Sequence, residues 1–131
     1  MDLVSMYPEY LRLFTRDDYA AAFERYCGDC ADFFAGLTVE SVEAEVGKLM
    51  EYTDGLLLRR PGRRTRCFDL RSFFCVYLCP AAVAFGTEAA RRFAEGLADA
   101  WNGKHPEFHL EAGAYEDIAK GFRTKPFGIS F

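Results

Sequence analysis

From Tyr19 to Leu37 apolar side chains return at Tyr19, Ala22, Phe23, Tyr26, Cys27, Cys30, Phe33, Phe34 and Leu37. This is the i, i+3, i+4, i+7 recurrence of one helix face, kept up far longer than a strand runs, and it excludes the two-residue alternation of a half-buried strand. Thr15 is placed to cap such a helix, and Asp17 and Asp18 suit its first turn, where carboxylates meet the positive end of the dipole. Gly36 is placed to stop it.

The rest of the chain follows the same period. Residues 7–14 predict a short opening helix with Pro8 in its first turn. Thr38 or Ser41 is placed to cap a helix with a buried stripe of Val39, Val42, Val46, Leu49, Met50 and Leu57. Asp54-Gly55 or Arg60 would end it. An Arg-rich connector follows over 59–66, and Asp69 is placed to cap the next helix. Residues 70–79 (LRSFFCVYLC) are apolar on nearly every side, which predicts a central, buried helix that Pro80 kinks or ends. Gly86 breaks the Ala-rich stretch that follows. Thr87 and Glu88 open a helix with Ala90, Phe93, Ala94, Leu97 and Trp101 inward, closed at Asn102-Gly103. HPEFHLEAGA is expected to be a loop, and residues 115–122 a last short helix. The tail carries Phe127, Ile129 and Phe131 as docking anchors. No segment shows a useful strand period. The fold class is therefore all-α, a compact single-domain bundle of about five helices over residues 1–131 with a docked C-terminal tail. Gly47 and Gly96 fall inside helices, where each costs about 1 kcal/mol relative to Ala, so both are expected to mark close helix crossings.

The C-terminal third carries the pattern LADAWN, then AYEDI, then GFRTKPFGISF. It resembles a group of small uncharacterised helical proteins of anaerobic Gram-positive bacteria. The resemblance covers about residues 88–131 and implies a helical fold, with Trp101 and Phe122 as core rings and KPFGI as a docking segment. It implies no activity and no catalytic residue.

A chain of 131 residues with 50% hydrophobic and 27% charged side chains has the size and composition of a globular domain that needs no staples. The opening residues lack a basic stretch followed by an apolar core, so no signal peptide is expected, and PAAVAF is too short to span a bilayer. Five cysteines, an odd number, point to free thiols and a cytoplasmic setting with no membrane partner.

The candidate chemistry is sparse. Cys27 and Cys30 form a C-x-x-C pair, but within a helix rather than at a strand-to-helix turn, which reads as two small buried hydrophobes. With Cys75 and Cys79 they make a conceivable metal set, although nothing around them has the form of a zinc knuckle. His105 and His109 have H-x-x-x-H spacing. Pro106 occupies the position where a metalloprotease needs its general base, so the pair reads as two solvated loop histidines. No catalytic constellation and no cofactor motif stands out.

What remains is charge. Arg59, Arg60, Arg63, Arg64 and Arg66 fall within eight residues around Pro61-Gly62, in a chain of net charge −4. Residues 1–58 hold twelve acidic side chains against four basic, a net −8, and residues 59–131 hold eight against twelve, a net +4. Guanidinium forks pair bidentately with phosphate and carboxylate. The cluster is thus the candidate anion-binding site, for a polyanion, a nucleic acid or an acidic protein surface. Against this, no aromatic stacking platform lies between Arg59 and Arg66, and the acidic half is available to pair with the arginines within the protein. A small non-catalytic helical interaction or regulatory protein, with a protein partner or a second copy of itself, is the function expected first. Anion or nucleic-acid binding through the arginines is the alternative, and metal binding by the cysteines a further one.

Overall fold

A computed structural model describes residues 3–13, 19–59, 61–111, 115 and 118–120. Among them every regular element is helical: α1 (Leu3–Leu13), α2 (Tyr19–Gly36), α3 (Val42–Leu57), α4 (Arg63–Ser72), α5 (Cys79–Phe85) and α6 (Glu88–Lys104). The all-α expectation holds. Short 3-10 turns precede α3 (Val39–Ser41) and follow α6 (Pro106–Phe108), and a π-turn (Phe73–Leu78) joins α4 to α5. The expected cap Thr15 and the first-turn Asp17 and Asp18, together with Arg60, Phe122 and the tail 123–131, lie outside the described residues. So does much of the expected last helix, of which Tyr115 and Ile118–Lys120 are described as helical.

The most extensive packing runs between α3 and α6, and α5 also packs against α6. The apolar stripes read from the sequence face inward: Ala22, Tyr26, Cys27, Cys30 and Phe34 from α2, and Ala90, Phe93, Ala94, Leu97 and Trp101 from α6. Gly96 lies at the α3–α6 seam, where an added Cβ would meet Val46 Cγ2 at 3.6 Å, an ordinary contact rather than the close crossing expected. Gly47 does not mark a crossing. It faces open space, with nothing within 4 Å of an added Cβ.

Several boundaries differ from expectation, each for a physical reason. Helix α1 begins at Leu3, so Pro8 falls inside it rather than in its first turn. Burying Met6, Tyr7 and Tyr10 in the core offsets the roughly 3 kcal/mol that an interior proline costs. Helix α3 passes through Gly55 to Leu57, which the core holds at 5% exposure. Of the two expected caps, Ser41 holds the N-cap position of α3 without a side-chain bond to it, and Thr38 caps the 3-10 turn just ahead. Ser41 N–H donates to Thr38 Oγ1 at 3.2 Å and Thr38 N–H donates to Ser41 Oγ at 3.0 Å, closing a capping box.

Pro80 does not end the central helix. The chain stays helical from Arg63 to Phe85 because the turn ahead of the proline widens: Cys79 N–H donates to Phe74 O, five residues back. Tyr26 on α2 donates its hydroxyl to Tyr77 O at 2.8 Å, satisfying a carbonyl of that widened turn. Arg63–Phe85 is also long and apolar enough to cross a membrane, but 56% of its apolar window is buried inside the protein, as in a core helix.

Candidate functional site

The Arg cluster is a helix start rather than a loop. Gly62 caps α4 with φ 95°, a left-handed conformation that favours glycine, and Arg63, Arg64 and Arg66 occupy the first turn. Asp69, the expected cap, lies in the second turn of α4 and its charge acts on Tyr7 and Tyr10. No acidic side chain stands in the first turn of α4, and no side chain caps it. Cations here oppose the helix dipole, at a cost of about 0.3–1 kcal/mol each.

The four described arginines divide into three kinds. Arg66 turns inward. Its Nε donates to Leu56 O and its Nη1 to Pro61 O, both at 2.9 Å, so it ties the last turn of α3 to the connector. Arg64 lies 5.8 Å from the ring centroids of both Phe68 and Phe108, a cation–π contact with two rings that meet edge to face at 4.9 Å. Arg59 and Arg63 are exposed. Among the described residues none of the four forms an ion pair with a carboxylate. The described ion pairs are Lys48–Glu45, Arg92–Glu88 and Lys104–Asp54. Pairing with the acidic half is therefore not how the described part of the fold handles this charge.

Sequence reasoning missed two parts of the site, the exposed apolar side chains Phe68 and Leu58 beside the cations and the burial of His105. Phe68, 50% exposed, stands one turn after Arg64 and supplies an aromatic that the span 59–66 lacks. Its i, i+4 relation to Arg64 becomes readable once α4 is known to start at Arg63. Leu58, 83% exposed, sits at the end of α3 beside Arg59. The second omission is His105, which is 6% exposed rather than solvated. Its N–H donates to Trp101 O at 2.8 Å, closing α6 and folding its ring onto the indole at 4.3 Å between centroids. Burial, with the charge of Arg63 next, holds the imidazole below its ordinary 6.5, so it is neutral at neutral pH. His109 is exposed, with Phe108 buried between the two histidines. Arg71 Nε donates to His109 O at 2.9 Å and ties that segment to α4.

Cys27, Cys30, Cys67 and Cys79 are core residues, and Cys75 is half-buried against the same core. All five are free. Burial pushes Cys27 and Cys79 up to about 12 and raises Cys30 and Cys67 as well, so these thiols stay protonated, while metal ligation and nucleophilic attack need the thiolate. Cys30 donates to the Met6 sulfur at 3.8 Å. Among the described residues no three His, Cys, Asp or Glu side chains assemble into a possible metal site.

A groove of about 360 Å³ lies between the start of α3 and α6, lined by Val39, Val42, Glu43, Val46, Arg92 and Gly96. Its only basic group, Arg92, is paired with Glu88 at 2.8 Å. The groove gathers no nucleophile and no acid–base pair.

Comparison with known proteins adds no relative: no protein family model, no curated protein and no solved structure matches the chain.

Proposed function

We propose that the protein is a small non-catalytic helical interaction protein that recognises an anionic partner through Arg59, Arg63 and Arg64, with Arg60 of the same run. One observation carries this reading. Arg63 and Arg64 stand at the positive end of α4, exposed and without a carboxylate partner among the described residues, and Arg59 is exposed ahead of them. Folding alone gains nothing from that arrangement, whereas an anion docked there meets both the guanidinium groups and the dipole. Leu58 and Phe68 beside the cations suit a macromolecular partner, since apolar anchors next to arginine are typical of interface centres. A cytoplasmic setting belongs to the same proposal and rests on the free thiols.

The test is retention on immobilised heparin for the wild type and for the Arg63→Ala, Arg64→Ala double variant. The double variant should elute at clearly lower salt, with a salt dependence flattened by about one unit per lost contact. Unchanged retention would remove the reading. Single-stranded nucleic acid is a second reading, favoured by the half-exposed ring of Phe68 beside Arg64. In that case Phe68→Ala should weaken binding to a single-stranded oligonucleotide and leave heparin retention in place.

A further inference from the structure

We propose that anion occupancy of the Arg63–Arg64 face and protonation of His105 are coupled, so that the face binds anions more tightly as the solution is acidified. This rests on the anion reading of the face and adds its regulation.

The two sites share one set of contacts. His105 lies in a knot that closes the C-terminus of α6. Phe108 N–H donates to His105 O at 3.0 Å, and Trp101 Nε1 donates to Phe108 O at 2.8 Å. Phe108 meets Phe68 edge to face, and the Arg64 guanidinium stands over both rings. Phe108 thus belongs both to the aromatic platform of the basic face and to the hydrogen-bonded knot that holds His105. Within it His105 Nε2 is buried and has no partner among the described residues. A proton taken up by the ring places a charge against the Trp101 indole with little solvent to share it.

The charged groups around His105 come from each element packed against it. Arg63 from α4 and Lys104 from α6 oppose a second positive charge, while Asp54 from α3 and Glu107 from the 3-10 turn favour one. Lys104 holds Asp54 at 2.7 Å, so these two largely cancel. Arg63 is in no such pair among the described residues. An anion bound at Arg63 cancels its repulsion, so the imidazole takes up its proton more readily with the face occupied than with it free. Linkage makes the effect reciprocal: a protonated His105 strengthens anion binding by the same factor. A rise of one pH unit in the midpoint of His105 corresponds to about a tenfold gain in affinity at the acid end.

The probe is inositol hexasulfate, whose sulfate esters stay ionised across the range. Affinity is measured from pH 8 to pH 5.5 in a His109→Gln background, which leaves His105 as the only histidine of the chain's two. Affinity should rise by roughly three- to tenfold on acidification. The fluorescence of Trp101, the single tryptophan, should report a protonation midpoint that moves up when the probe is bound. His105→Gln should bind with an affinity independent of pH. Binding that stays flat with pH, with an unmoved fluorescence midpoint, overturns the coupling and leaves the anion reading standing. No binding at any pH overturns both. Should His105→Gln fail to fold, the fluorescence midpoint with and without probe still decides the matter.

Discussion

Two helix-to-helix turns in this molecule use the same backbone device and opposite chemistry. Between α5 and α6 the chain turns at Gly86, φ 82°, and between α3 and α4 at Gly62, φ 95°. After Gly86 every local choice favours the helix that follows. Thr87 Oγ1 accepts the Ala90 N–H at 3.1 Å, Glu88 stands in the first turn, and Arg92 pairs with it at 2.8 Å. After Gly62 there is no side-chain cap and no acid, and three of the first four helical residues are arginine. Local consistency of the first kind is what folding alone selects. Departures of the second kind gather where a surface has a further task. The fold compensates by turning Arg66 inward onto two backbone carbonyls, which leaves Arg59, Arg63 and Arg64 outside.

The contrast predicts unequal effects at the two turns. The largest belongs to Arg66→Ala, which removes two charge-assisted hydrogen bonds and frees the end of α3. It should cost about 1.5–3 kcal/mol in urea unfolding. Arg63→Ala should cost well under half of that, and equal costs would dissolve the division between the inward-turned Arg66 and the exposed arginines. Next comes Gly62→Ala, at about 1–2 kcal/mol, because a side chain in the left-handed region is strained and its Cβ would lie 3.1 Å from Arg66 Nη1. Gly47→Ala should instead stabilise by about 0.5–1 kcal/mol, since Gly47 faces open space within α3. Thr87→Ala, which breaks the well-made turn, should cost about 1 kcal/mol.

Acid should act on the same region. His105 binds its proton less readily folded than unfolded, so its contribution to stability is intact above the unfolded-state value of 6.5 and is lost as pH falls from there toward the folded-state value. A denaturation midpoint that falls with acidification in the wild type, and less so in His105→Gln, is the expected result.

Where local chemistry and tertiary structure agree, the sequence is readable. Helix α6, with its Thr87 cap, its Glu88 and its inward stripe to Trp101, needed nothing beyond local rules, and the buried run Leu70–Cys79 is equally plain. The start of α4 was not readable for the reason that makes it interesting. Dipole and capping rules point to Asp69, whereas the helix begins where Gly62 turns the chain and Arg66 hooks onto α3. The Tyr77 carbonyl in the widened turn ahead of Pro80 is met by a hydroxyl from Tyr26, 51 residues before it in sequence, which no local pattern encodes. His105 looked solvated because its burial comes from closing α6 onto Trp101. The exposed face of Phe68 became legible only after the start of α4 was known.

The central claim is that charge at the start of α4 serves contact rather than folding. Arg63→Glu tests it most directly, by measuring thermal stability and heparin retention on the same protein. Reversing the charge at the first helical position should stabilise the fold by about 0.5–1 kcal/mol through the dipole and should reduce retention. A variant that loses stability and keeps its retention would contradict the account.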